Sequence, residues 1–343
     1  MSATLNEIEF NHLLLPVPAE AKLFDEDYII WGATPVRGDD GRYHLFYSRW
    51  PVELGHNAWV THSEIAHAVA EAAAGPYVHQ DVALPARGAE YWDGLCTHCP
   101  NVHKFDGKYY LYYLGNTGDG VAMKGLNWTH RNNQRVGVAV ADSPDGPWTR
   151  FDEPLIDVGG KGSWDELMTA TPAVCRKPDG GYLLIYKCVA AQKELPFGGP
   201  VSHMAASAES PLGPFTKHPQ RVLTEADQFD FVLEDPYIWV DGDTYWALLK
   251  DFKGTYSGVK GSTLTLFTSD NGLDWRPAKH PFVSRVEINW EGREVQQVHR
   301  LERPQLLIED GVPKVLFLSV FEKGNEHNYN IHVPLKGLHE QAP

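Results

Sequence analysis

Apolar residues in this chain come in short runs of strand length, and the runs come in pairs. Five pairs share one plan: a Pro, a β-rich run, a turn holding Gly or Asp, and a second run dense in aromatic and aliphatic residues. They read TPVRGDDGRYHLFYSR from Thr34, CPNVHKFDGKYYLYYLG from Cys99, TPAVCRKPDGGYLLIYK from Thr171, DPYIWVDGDTYWALLKD from Asp235 and RPQLLIEDGVPKVLFLS from Arg303. An Asp-Gly or similar turn between two such runs predicts a β-hairpin, because these residues accept the backbone angles of tight turns.

The hairpins recur at regular distance. Their prolines, Pro35, Pro100, Pro172, Pro236 and Pro304, are spaced 65, 72, 64 and 68 residues apart. Most are followed by a second element with its own turn: HSEIAHAVAEAAAGPY ending at Tyr77, RVGVAVADSPDGPW at Trp148, HMAASAESPLGPF at Phe215 and LTLFTSDNGLDW at Trp275. Each supplies a third strand and the start of a fourth. Four strands per unit and five units predict an all-β, five-bladed β-propeller, a single domain over residues 1–343 with blades starting near residues 30, 95, 167, 231 and 299. The fifth unit lacks an outer strand, since no Gly-Pro-aromatic turn follows NYNIHVPL from Asn328. Residues 1–20, in particular Phe10 to Leu15, are expected to supply it. A β-sandwich, the competing arrangement, would show shorter and less regular units.

Composition narrows the function. Apolar residues at 43% and charged residues at 22% are those of a folded globular chain with a large core. A net charge of -15 and the lack of any Lys/Arg cluster argue against a nucleic-acid partner. No apolar stretch is long enough to span a bilayer. The N-terminus MSATLNEIEFNHLLLPVP lacks the parts of a secretory signal, so a cytoplasmic location is expected if Met1 is the natural start. Four cysteines make no disulfide framework. CTHCPNVH from Cys96 lacks the second Cys pair of a zinc ribbon, so no metal ligands are assigned and core thiols are expected.

In a propeller the innermost strands line the axis and begin at one mouth, to which the loops between second and third strands return. That frame gathers Trp31 and Thr34, Asp93, Thr97 and His98, Glu166 and Thr169, Glu234 and Asp235, and Glu302 and Arg303. Carboxylates converging there should push one another's pKa values apart, giving an acid and a base at one pH. Two such groups flanking a sugar are the requirement of glycoside hydrolysis. The long loops add Arg49, Trp50, His56, Asn57, Trp59, His62 and Glu64, then Asn116, Asp119, Trp128, His130, Arg131 and Arg135, a mixture suited to stacking on sugars and reading hydroxyls. A plain alternative is an ion-pair network around Arg303 that closes the ring.

Through the repeated Pro hairpin and the Gly-Pro-aromatic turn, nearly the whole chain resembles the propeller glycosidases of glycoside hydrolase families 43, 32, 68 and 117. The resemblance implies that an Asp before an inner-strand Pro acts as base or nucleophile, matching Asp235, and a Glu two before such a Pro acts as general acid, matching Glu234 and Glu302. Blades one and two depart from it, with Thr34 and Cys99 where Asp is usual. Family 117 implies a His acid, for which His98, His62 and His203 are eligible. The catalytic assignment is therefore Glu234, Asp235 and Glu302, with Asp93, Glu166, Glu64 and His98 in reserve. The substrate-binding assignment is Trp31, Arg49, His62, Thr97, Trp128, Arg131, Thr169, Lys187, His203 and Arg303. No cofactor is required, although the resemblance admits a channel calcium or other divalent ion. The expected activity is exo-acting glycosidase action on a short oligosaccharide. The alternatives are a glycoside phosphorylase, with Arg49, Arg131, Lys187 and Arg303 holding phosphate, and a catalytically silent sugar-binding propeller.

Overall fold

The computed structural model describes residues 7–224, 232–322, 324 and 327–337. Five four-stranded antiparallel sheets follow one another around a ring, forming a five-bladed β-propeller. Blade one holds Tyr28–Arg37, Tyr43–Pro51, Glu64–Ala70 and Val78–Leu84. Blade two holds Cys96–Phe105, Lys108–Asn116, Arg135–Ala141 and Thr149–Arg150. Blade three holds Met168–Arg176, Tyr182–Val189, Val201–Ala208 and Thr216–Val222. Blade four holds Leu233–Asp241, Thr244–Asp251, Thr263–Ser269 and Arg276–Arg285. Its expected start near residue 231 lies outside the described residues. Blade five holds Arg300–Glu309, Val312–Phe321 and Tyr329–Pro334.

Successive residues of a strand face opposite ways, and a blade has a neighbour on each side, so both faces of the inner hairpins are apolar. Blades two and three meet through Tyr112, Val138, Val174, Leu184 and Tyr186, and blades three and four through Ile185, Ala205, Ile238, Ala247 and Phe267. Outer strands lie at the rim, as the exposed residues of Val78–Leu84 show.

The fourth strand of blade five comes from the N-terminus as Lys22–Leu23, while the expected Phe10 to Leu15 segment adds only a bridge from Leu14 to Leu335. Lys22 faces Ile331 and Leu23 faces Asn330. Phe10–Leu13 instead forms a 3-10 turn whose Phe10 and Leu13 fill the core between blades four and five. Pro16 and Pro18 explain the difference, because neither has an N–H for a sheet ladder.

Every inner strand carries a bulge at the same height. Pairing slips between Trp31 and Thr34, His98 and Asn101, Ala170 and Ala173, Glu234 and Tyr237, and Glu302 and Gln305. The first bulge residue is Gly32, Cys99, Thr171, Asp235 or Arg303, with φ of 58°, 55°, 51°, 56° and 58° in turn. Four of the five have a side chain, which the left-handed region disfavours. Because the bend recurs in every blade, whatever its residue, it belongs to the architecture.

This register corrects the alignment of blade one. Its counterpart of the bulge prolines is Ala33, and Gly32 stands where Asp235 does. Thr34 lies further along and accepts from Val102 N–H of blade two at 3.2 Å.

Candidate active site

The five bulges meet at the axis beneath a cavity of about 450 Å³. Trp31, His98, Glu234 and Glu302, which precede bulges, and Cys99, Thr171, Asp235 and Arg303, which form them, all line it. On the other side of the bulges the channel shrinks to about 10 Å³ between Gly32, the prolines and Gln305, so the cavity has a floor. Neighbouring strand residues normally point apart. At Glu234 and Asp235 the bulge breaks that alternation, and both carboxylates reach the same space.

Glu234, Asp235 and Glu302 bring one oxygen each to within 4.8 Å of one another. Each has a cation. Lys187 Nζ donates to Glu234 Oε1 at 3.1 Å, Arg303 Nη1 to Asp235 Oδ1 at 2.6 Å, and Lys250 Nζ to Glu302 Oε1. Three carboxyls and three cationic side chains from blades three, four and five are thus paired one to one. Desolvating an ion costs several kcal/mol, so removing any one member exposes that penalty in its partner.

The surroundings separate the two adjacent acids. Burial pushes the Glu234 carboxyl up, but the ammonium groups of Lys187 and Lys250 outweigh it and hold the group below the usual range. Asp235 is pushed well above that range, by burial first and then by the negative charge of Glu234, with Glu302 adding to it. The ammonium groups of Lys187 and Lys250 oppose this rise, and Arg303, which bonds Asp235, is itself stripped of water and lowered to about 9. The pKa values of the two adjacent carboxyls are thus driven in opposite directions, Glu234 down and Asp235 up, the separation that acid–base chemistry needs.

The remaining wall, from blades one and two, is aromatic. His98 stacks on Trp59 with centroids 4.8 Å apart and lies edge-on to Trp50, and His56 lies edge-on to Trp31 at 5.5 Å. Ser63 Oγ holds His98 Nδ1 at 2.7 Å. Burial and the charge of Arg303 keep the His98 ring neutral, and burial lowers His56 to about 4.

Of the residues expected from sequence, Glu234, Asp235, Glu302, His98, Trp31, Trp50, His56, Trp59, Lys187 and Arg303 line the cavity. His203 pairs with Lys187 across adjacent strands and is buried just behind it. The others lie elsewhere, for identifiable reasons. Thr97 and Thr169 sit one residue before their cavity-facing or equivalent neighbours, so they point the opposite way, and their hydroxyls donate to the carbonyls of Leu84 and Ile156. Asp93 is bound by Arg87 at 2.6 Å and the Tyr113 hydroxyl at 2.6 Å. Asp165, in a matching Trp-Asp-x-Leu-x-Thr run, is held the same way by Lys217 and Tyr186, so this Asp anchors the start of a blade. Glu166 accepts from Gly162 N–H. Glu64 pairs with Arg49, which stacks on Tyr28, and His62 bonds Thr61. Arg131 stacks on Trp128 and Phe197 and donates to the Phe197 carbonyl, tying two mouth loops together.

Lys250, Phe252, Gln134, Ser262, His299 and Arg300 also line the cavity and escaped the sequence reading. A signal existed for Lys250. It faces Glu234 across the hairpin as Lys187 faces Ala170, and both lysines close the second run of their repeat. Ser48 and Ser319 hold the same place in blades one and five, accepting from Cys99 N–H at 2.9 Å and Gly32 N–H at 2.6 Å. This position latches each of these four blades to the next.

Three clustered carboxylates can ligate a divalent ion, but here Lys187, Arg303 and Lys250 occupy the bonds an ion would need. The four cysteines are buried and unpaired, and Cys96 Sγ donates to the Trp59 carbonyl.

No family model matches this chain, and no curated protein does. Solved structures do. A family 117 glycoside hydrolase from the marine bacterium Zobellia galactanivorans aligns over 91% of this chain and 85% of its own, with TM-score 0.63 and 20% identity. A structure described as a glycoside hydrolase aligns over 96% and 95%, with TM-score 0.68 and 16% identity. A family 43 β-xylosidase/α-arabinofuranosidase from a compost metagenome, in a calcium-free complex with xylotriose, aligns over 94% and 95%, with TM-score 0.57 and 16% identity. The fold is that of the propeller glycoside hydrolases. At such identities the likeness extends to the architecture.

Proposed function

We propose that this chain is a glycosidase that removes a sugar from the end of a short oligosaccharide, with Asp235 as acid and Glu234 as its anionic partner. One observation carries the reading: the pKa values of two adjacent carboxyls are driven in opposite directions inside a floored, aromatic-walled cavity. The closed floor supports an exo mode, and about 450 Å³ suits a small saccharide. The xylotriose complex of a similar fold supports that substrate class.

In the proposed reaction Asp235 gives its proton to the glycosidic oxygen, the bond from that oxygen to the anomeric carbon breaks, and the alcohol departs. Glu234 forms a bond to the anomeric carbon, and water activated by the now anionic Asp235 releases the sugar. Carboxylate oxygens within 4.8 Å favour this retaining course, because an inverting pair stands roughly 6.5–9.5 Å apart to admit water. Glu302, paired with Lys250, completes the acidic group and tunes Asp235.

The test is a screen of aryl glycosides and short oligosaccharides with the native chain and with Asp235→Asn, Glu234→Gln and Glu302→Gln, the product anomer being read by NMR. Turnover that collapses in the first two variants with retained configuration is expected. Near-native turnover in Glu234→Gln and Asp235→Asn refutes the assignment. A second reading, sugar binding without chemistry, is favoured by the cation already bonded to every carboxylate. Binding with no turnover across the panel would support it. The phosphorylase alternative has less support, since Arg49 and Arg131 lie away from the cavity. Assays with and without phosphate separate it.

A further inference from the structure

A second cluster lies at the seam of blades one and two, among residues that do not line the cavity. His44 and His67 come from neighbouring strands of blade one and are buried, with rings parallel to within 4° and centroids 5.1 Å apart. His44 Nδ1 and His67 Nε2 face each other at 2.9 Å. Their other ring nitrogens each face a carboxylate: His44 Nε2 lies 3.4 Å from Asp40 and His67 Nδ1 3.5 Å from Asp81. Asp145, from the third-to-fourth-strand turn of blade two, places Oδ1 3.8 Å from His44 Nδ1.

Protons on the outer nitrogens satisfy both carboxylates and leave two imidazole lone pairs pointing at each other. A neutral pair can relieve that clash only by turning a lone pair toward Asp40 or Asp81. Arg42 offsets one of the three carboxylates through its 2.6 Å contact with Asp40, and two negative charges remain. Gly38 makes the packing feasible, because a Cβ there would fall 2.4 Å from Asp40 Oδ1 and 2.8 Å from His44 Nε2.

We infer that this seam binds a divalent transition-metal ion of the zinc class through His44 Nδ1, His67 Nε2 and Asp145. Two imidazoles and a carboxylate are a donor set that suits such an ion. Asp40 and Asp81 complete it, since ligating histidines typically give their other N–H to a carboxylate. The half-exposed side of Asp145 leaves water the fourth position. The ion ties blade one to blade two and lies apart from the proposed chemistry.

The test uses the full chain without a histidine tag, stripped by EDTA and titrated with zinc chloride by calorimetry and with cobalt(II) by visible absorption. One equivalent is expected, with a tetrahedral cobalt spectrum and a higher Tm when zinc is added. Asp145→Ala and Asp81→Asn change exposed side chains, so folding should survive, and each should weaken zinc about tenfold or more. His67→Gln should abolish the cobalt spectrum. Absence of binding at millimolar zinc overturns the inference and leaves a proton shared by the two rings. So does binding that neither exposed variant weakens, which would place the ion elsewhere.

Discussion

The cavity is built twice from one backbone plan. Toward blades three, four and five its wall is ionic: Lys187, Glu234, Asp235, Lys250, Glu302 and Arg303. Toward blades one and two the corresponding positions carry Trp31, Gly32, His98, Cys99 and Leu114. The bulge, its φ and the hairpin register are the same on both sides. The architecture thus supplies five equivalent sets of positions, and side chains alone decide which of them carry chemistry and which carry a platform.

Substituting matched positions breaks or sharpens this contrast. Asp235→Asn should lower turnover by roughly 10²–10⁴-fold, the usual contribution of a positioned acid, whereas Cys99→Ala at the same bulge position should leave turnover unchanged. Steady-state kinetics on any substrate found in the screen decides this. Equal losses would mean that the bulge, and not its carboxyl, matters. Next in size, Lys250→Met strips the buried Glu302 of its cation and should cost about 3–5 kcal/mol in denaturant unfolding. Its latch counterpart Ser319→Ala takes the acceptor from the Gly32 N–H and the donor from Asn330 Oδ1, two uncharged groups, and should cost about 1–3 kcal/mol.

The smallest effect separates the two walls by pH. His56 is held near 4 by burial and by Arg300, below its unfolded value of about 6.5. The unfolded chain therefore takes up this proton first, so the stability is intact above about 6.5 and is lost as pH falls toward 4. His56→Gln should recover on the order of 1 kcal/mol at pH 5. Glu234, also lowered, keeps its contribution above its unfolded value of about 4.3 and loses it only below that. Unfolding curves between pH 7 and pH 3 test the order of these two losses, and a single loss below pH 4 would contradict it.

The architecture was legible because hairpin turns and apolar alternation are local and recur five times. Glu234, Asp235 and Glu302 were legible for the same reason, since each sits at a fixed offset from a bulge proline. What failed was also systematic. Blade one has Ala33 at the bulge and a proline two residues later, so Pro35 shifted the alignment and put Thr34 where Gly32 belongs. Thr97 and Thr169 were one step out of phase on strands whose period is two. Lys250 was missed although it ends its hairpin as Lys187 does, because its partner Glu302 lies on the next blade, 52 residues on. Asp93 looked catalytic because a buried carboxylate needs a reason, and Arg87 and Tyr113 are that reason.

Closing the ring with Lys22–Leu23 has a consequence for biosynthesis. The partner strand lies about 300 residues downstream, and that distance sets the entropy of the loop being closed. Blade five cannot gain its rim strand until Tyr329–Pro334 has been made, so Lys22–Leu23 must wait for a partner while most of the propeller is synthesised. Four blades can be complete by then, so the docking of Lys22–Leu23 on blade five is the step before which an open ring can pair with another molecule.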